Sequence, residues 1–351
     1  MLLRNGRGRF ARGLACWIII VCSTTMIPGR AMAWGSEGHQ TTALIAYMLL
    51  TPRAQKNLLA VLQERKITEV ATWPDDIKRA GKGCVTPGAP GCGPEYRPET
   101  AQWHYVDIPF EDSKFDPKAD YCRSTRYGDC IVSAIEDFRD LLNRSTKRAF
   151  AANSDEQKRK LHDALSFLVH FLGDIHQPLH CAERNHDAGG NNVPVTWEGE
   201  PKYKYDDVWN LHSVWDEVLV DRNIMTMPQN QQTYSFYAKA LFDKLSQAER
   251  DYAQLKSASI EAGRAETVAT WAEDAHALAR SGAYRLPSKT VKTSTRGLQK
   301  KGSQGQPLEI VVLDEKYFTD NMSVVARQLQ LGGVRLARIL NEIYDKEIPS
   351  N

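Results

Sequence analysis

The strongest helical segment of the chain runs from Asp155 to Gln177 and stops at Pro178. Its last turns carry His170 and Asp174. Residues four apart on a helix lie about 40° apart around the axis, so these side chains point the same way. Beyond the proline, His180 sits in a turn that can bend back toward the same space. A second pair, His212 and Asp216, repeats the spacing within Asn210-Leu-His-Ser-Val-Trp-Asp216. Either pair alone is more often a hydrogen bond on a helix surface than a metal site. Two pairs and a third histidine together form a nitrogen–oxygen donor set of the kind that zinc suits. His176, two residues from Asp174, points off that face and reads as a packing residue or as a partner behind the ligands.

The remaining pattern is mostly helical. Apolar residues recur at helical spacing over Glu37 to Leu50, Thr51-Pro52 opens a helix through Leu62, and Val70 to Ala80 forms a shorter one. Residues 81–128, rich in Gly, Pro and Cys, read as a stapled loop region. Further helices are predicted at 129–143, 207–221, 231–254, 264–281 and 315–344. The polar, Gly-rich stretch 181–206 has room for one small β-hairpin around Val193 to Trp197, and the basic stretch 286–307 reads as a mobile surface loop. With so few strands the fold class is all-α, in one domain with long loops.

The first 33 residues have the layout of a secretory signal. Arg4, Arg7, Arg9 and Arg12 precede an apolar run from Leu14 to Met26, and Ala31-Met-Ala33 makes a small-residue cleavage site. The apolar run is short for a membrane anchor. Cleavage after Ala33 removes five arginines, leaving 40 basic against 43 acidic residues in a domain spanning 34–351. A net charge near −3 lacks the basic excess of most nucleic-acid binders. If such a chain handles phosphates, bound cations or a local patch must supply the positive charge. Export also permits disulfides. Of the five cysteines left, Cys84–Cys92 and Cys122–Cys130 would close short loops, and Cys181 is left over.

Cleavage at that point makes Trp34 the amino terminus, and a free α-amine with its own carbonyl can chelate a metal. His39 follows five residues later. Asp75 in Trp73-Pro-Asp75 and His104 in Trp103-His-Tyr-Val-Asp107 are further candidates. Trp34, His39, Asp75, His104, His170, Asp174, His180, His212 and Asp216 give nine potential ligands. With one carboxylate bridging, that number serves three zinc ions rather than one.

This order of motifs resembles the S-one/P-one nucleases, a trinuclear-zinc family in the superfamily of zinc phospholipase C. The resemblance runs from Trp34 to the helix near Ile343 and rests on Trp34-x4-His39, Trp73-Pro-Asp75, Trp103-His-Tyr-Val-Asp107, His170-x3-Asp174-x5-His180, Gly189-Gly-Asn191 and His212-x3-Asp216. It implies that Asp75, His104, His170 and Asp174 hold one zinc. Trp34, His39 and the other oxygen of Asp174 would hold its neighbour, and His180, His212 and Asp216 the third. A hydroxide shared by the close pair would attack phosphorus, and the third ion would stabilise the leaving 3′-oxygen. The implied activity is cleavage of single-stranded RNA and DNA to 5′-phosphate ends, with 3′-nucleotidase activity.

Lys78 occupies the place of a phosphate-facing arginine of the family, keeping the charge without the bidentate fork. Arg79 next door is a possible substitute. Tyr105 and Asp107 fall where a base would stack and be hydrogen-bonded, and Gly189, Gly190 and Asn191 resemble the base-pocket loop. Cys181 departs from the acidic residue usual after the last ligand of that segment. The runner-up activity is a zinc phospholipase C; a zinc-scavenging protein is the non-enzymatic reading. The protein is expected to be a monomer, periplasmic or secreted, acting on single-stranded nucleic acid and nucleotides, with no stable membrane association.

Overall fold

A computed structural model describes residues 34–63, 65–78, 97–119, 122, 130–149, 154–199, 209–293 and 308–347. The signal segment, Arg79, Cys84 and Cys92 lie outside the described residues. Directly after Trp34 comes α1 (Ser36–Leu49), then α2 (Pro52–Leu62), which begins on a proline and is capped by Thr51, whose side chain accepts from the Ala54 amide. Two short helices, α3 (Ile67–Val70) and α4 (Trp73–Lys78), precede a tight 3₁₀ run at Pro98–His104. The long helices α5 (Ile131–Ala149) and α6 (Asp155–Asp174) pack on each other. Then follow α7 (Leu211–Ser213), a π-helical turn at Val214–Val218, and α8 (Leu219–Met225), which continue one another without a loop. The chain ends in α9 (Tyr234–Asp243), α10 (Gln247–Ala253), α11 (Val268–Leu278) and the 30-residue α12 (Glu315–Tyr344).

The core forms around α12, which lies against α1, α2, α5, α6, α8 and α10. Gly333 lets α1 come close: a Cβ there would stand 2.5 Å from the Ile45 side chain. Burying side chains such as Ile45, Leu172 and Leu340 stabilises the bundle by about 1.5–3 kcal/mol each. Within the same core, Trp103 and Phe138 pack against Phe167 and Phe171 of α6 with ring centroids 5.0–6.2 Å apart. No described helix is long and apolar enough to cross a membrane.

The mostly helical class is found, with three corrections. First, the helix expected over 231–254 is two, because Ser246 and Glu249 form a capping box that starts α10 afresh. Second, the strand near Val193 to Trp197 belongs to no hairpin. β1 (Val195–Trp197) runs parallel to β3 (Leu308–Leu313), and β2 (Thr290–Thr293) pairs antiparallel with β3, so β3 is central. Third, part of the stretch read as a surface loop is therefore strand; residues 294–307 lie outside the described residues. Cys122 and Cys130 form a disulfide, and Cys181 is free and buried.

Candidate metal centre

Helix α6 enters the core with Leu168, His170, Phe171, Leu172 and Asp174 all buried. The helix ends at Asp174, earlier than expected, because the next turn tightens. The amides of His176 and Gln177 donate to the carbonyls of Gly173 and Asp174, three residues back rather than four. Pro178 then opens a 3₁₀ turn, Pro178–Cys181, that carries His180 inward. Asn210 caps α7 through the Ser213 amide and sets His212 in place. Asp216 stands in the π-helical turn rather than in the α-helix its spacing suggested, yet four residues along either helix nearly complete a turn, and the pair still shares a face. From the other side come His39 on α1, Asp75 and Lys78 on α4, and His104 at the end of its 3₁₀ run.

These residues gather into three sets, each with donor atoms within 4.8 Å of one another: Asp75, His104 and His170; His39, His170 and Asp174; and His180, His212 and Asp216. Asp174 faces two ways. Its Oδ2 lies 2.8 Å from His104 Nδ1 and 3.1 Å from His170 Nε2, while its Oδ1 lies 3.2 Å from His39 Nε2. The His39 and His170 rings stack at 3.8 Å, which is why His170 falls in both sets. Trp34 is fully buried; its indole would lie 3.6 Å from a Cβ on Gly173, and the Gly35 amide donates to the Asp216 carbonyl at 2.8 Å. The Trp34 segment thus bridges the neighbourhoods of Asp174 and Asp216. Gly173 itself makes room for His39, whose Nδ1 would be 2.6 Å from a Cβ there.

The histidines are oriented by backbone carbonyls. Nδ1 of His170 donates to Ala71, Nδ1 of His180 to His104, and Nδ1 of His212 to Gly189, at 2.6–2.7 Å. In the neutral ring that assignment leaves Nε2 as a lone pair. Yet His180 Nε2 and His212 Nε2 face each other at 3.1 Å. His170 Nε2 lies equally close to His104 Nδ1, whose N–H can donate to Asp174 Oδ2 at 2.8 Å. Converging buried lone pairs repel unless a cation or proton lies between them. The donor set therefore fits metal ions.

Electrostatics point the same way. Burial, then the His170 charge, pushes His39 down to about 4; burial, then Lys78, pushes His104 down to about 3. Burial also lowers His180. These imidazoles are neutral at pH 7, as ligands must be. Burial alone would raise the Asp75 and Asp174 carboxyls. Lys78 and His170 outweigh it at Asp75, and His170 with His104 at Asp174, so both are held below the ordinary range. Asp216 differs: burial drives it well above 3.8, opposed by a hydrogen bond from Gln177.

The other expected residues lie around this centre. Lys78 Nζ is 2.7 Å from Asp75 Oδ1. Tyr105 is half-buried, with its hydroxyl pushed up by burial and by Asp107, which is exposed. Their segment is stitched to the His180 turn by hydrogen bonds from the Val106 amide to the His180 carbonyl and from the Glu183 amide to the Ile108 carbonyl. Gly189 and Gly190 have positive φ, 59° and 80°. A Cβ on Gly189 would strike the Leu179 carbonyl at 2.5 Å, so only glycine lets this loop bring its carbonyl to His212. Asn191 donates to the Ala188 carbonyl, and its buried Oδ1 has no hydrogen-bond partner. His176 is apart from the donor sets: its Nδ1 donates to the Leu172 carbonyl, and its Nε2 accepts from Arg335. Sequence reasoning missed Gln177, whose buried amide touches Asp216, and Gly173; neither residue type announces such a role.

The sequence matches the family described as S1/P1 Nuclease over residues 34–345. It is 26% identical to Endonuclease 3 of Arabidopsis thaliana across 94% of this chain and 96% of that protein. It is 25% identical to Nuclease P1 of Penicillium citrinum across 90% and 99% respectively, and 30% identical to Nuclease S1 of Aspergillus oryzae across 56% and 58%.

Proposed function

Since the chain belongs to the S1/P1 nuclease family, and so to the hydrolases of nucleic-acid phosphodiester bonds, we propose that it is an exported, zinc-dependent endonuclease and 3′-nucleotidase. Its substrates are single-stranded RNA and DNA, and its products carry 5′-phosphates. Cleavage after Ala33 frees the Trp34 amine and completes the donor set. Asp75, His104, His170 and Asp174 would hold one zinc. The Trp34 amine and carbonyl, His39 and the second oxygen of Asp174 would hold its neighbour, and His180, His212 and Asp216 the third. The observation that carries this reading is the convergence of the buried His180 and His212 Nε2 lone pairs at 3.1 Å beside Asp216, with the Nδ1 atoms of both rings already committed to carbonyls.

When bound, zinc supplies acidified water at neutral pH and stabilises charge that develops on phosphate oxygens. The chain's own residues do the rest. Lys78 lies in the last turn of α4 beside Asp75 and offers its ammonium to the incoming phosphate. Tyr105 presents a ring on which a base can stack, and Asp107 a carboxylate for a base N–H. Asn191 has already spent an amide hydrogen on its own loop, so it meets a base edge chiefly as an acceptor through Oδ1. A base that must be engaged this way has to leave its stack, which favours single strands.

The test is made on protein matured at Trp34 and verified by mass. Zinc per chain is counted, and single-stranded RNA and DNA are digested with and without chelator. About three zinc ions and chelator-sensitive release of 5′-mononucleotides are expected. Fewer than three zinc ions would overturn the ligand assignment. Turnover of phosphatidylcholine without nucleic-acid hydrolysis would move the protein to the phospholipase side of the superfamily.

A further inference from the structure

Gln177 is fully buried, and both ends of its amide are spoken for. Its Oε1 accepts from the Leu179 amide at 2.6 Å, which fixes which end is oxygen and caps the turn that carries His180. Its Nε2 then donates to Asp216 Oδ1 at 2.7 Å. Asp216 Oδ2, by contrast, has no hydrogen-bond partner and lies 3.4 Å from His212 Nε2. The carboxylate is thus presented with one oxygen tethered and one offered.

The residue that does the tethering is itself firmly held. The Gln177 amide N–H bonds to the carbonyl of Asp174 at 2.9 Å. One position earlier, the tightened turn takes the His176 amide away from the Leu172 carbonyl, and the His176 ring restores that bond through Nδ1 at 2.8 Å. The same ring accepts from Arg335 at 2.9 Å, and Arg335 is paired with Glu266 at 3.0 Å. A buried network of this kind is rigid when every partner is satisfied.

We propose that Gln177 is a positioning residue that selects Asp216 Oδ2 as the ligand oxygen for the third zinc and couples that site to Asp174 through the backbone. The inference rests on the three-zinc reading above. Metal-bound carboxylates are commonly oriented by such partners, whose loss weakens metal binding about 10–100-fold.

The experiment titrates zinc-loaded, mature protein with a chelator and counts the zinc retained per chain. The unsubstituted protein comes first. Fewer than three zinc ions there would overturn the zinc reading, and this inference with it, before any variant is measured. Gln177→Met keeps the side-chain length and removes both hydrogen bonds. Gln177→Glu keeps an acceptor for Leu179, so the turn still forms if the methionine variant fails to fold, but it sets a carboxylate rather than a donor against Asp216. In each folded variant one zinc of three is expected to leave at roughly 10–100-fold lower chelator strength, the other two being unchanged. Release of all three at the unsubstituted concentration would overturn the proposal, and so would joint release of all three at a lower one.

Discussion

Around Asp174 and Asp75 the protein answers buried negative charge with groups of its own. Lys78 stands 2.7 Å from Asp75, and His170 is raised above 6.5 because Asp174 and Asp75 together outweigh its burial. A proton on His170 can stand in for a cation. Around Asp216 the ion-pair partners among the described residues are His180 and His212, and burial keeps His180 lowered. One amide from Gln177 is the main compensation. The contrast teaches that the two regions depend on metal differently. The first is organised before any ion arrives; the second holds a carboxylate whose burial is favourable chiefly in a cation's company.

The sharpest way to break the comparison is Asp174→Ala, which removes the group shared by two donor sets. Loss of about two zinc ions and a fall in kcat/KM on the order of 10⁴-fold are expected. Retention of all three ions, measured by elemental analysis, would mean that Asp174 is not shared. Gly173→Ala acts on the same region by sterics alone. Its Cβ would meet His39 Nδ1 at 2.6 Å. Metal affinity there should drop by about 10–100-fold, and thermal melts should show none of the ~1 kcal/mol that alanine normally gains in a helix.

A smaller effect isolates the electrostatics, read from melts of chelated protein against pH. Asp75 is lowered below 3.8 in the folded state, so its stabilisation is present above pH 3.8 and is lost as pH falls through the folded value. Asp216 is raised above 3.8, so its contribution is present below pH 3.8 and is lost as pH rises through the folded value. At pH 8 and without metal, Asp75→Asn should therefore melt lower than the parent and Asp216→Asn higher, each by roughly 5 °C. The Asp216→Asn difference should shrink toward pH 4, whereas the Asp75→Asn difference should persist there and shrink only at lower pH. Equal signs for the two variants would erase the distinction between the regions. Least of all should Cys181→Ser matter. Burial pushes the thiol up and its Sγ faces the Ile175 carbonyl, so zinc content and activity should match the parent before and after peroxide treatment.

Much of the centre was legible because its residues obey short-range rules. His170 and Asp174 lie on a regular helix, and their spacing alone sets them on one face. His212 and Asp216 were paired correctly through an incorrect geometry, since a π-turn and an α-turn both return to nearly the same side after four residues. Gln177 was invisible because its role depends on Asp216, 39 residues away. The sheet was hidden for a similar reason: Val195 meets Val311, and neither neighbourhood forms a hairpin by itself. The break between α9 and α10 was written in Ser246 and Glu249 but lay inside an otherwise continuous apolar pattern.

The close fit of α1 against Gly333 has a consequence in time. The helix that carries His39 is made near the start of the chain, whereas the helix on which it rests is made at the end. Arg335, which steadies the turn after Asp174, belongs to that same last helix. Contacts of such long sequence separation form late and slowly. A chain emerging from a ribosome or threading through a membrane pore would therefore expose its histidines in turn without assembling them. Metal capture becomes an event of the finished molecule, in whichever compartment folding is completed.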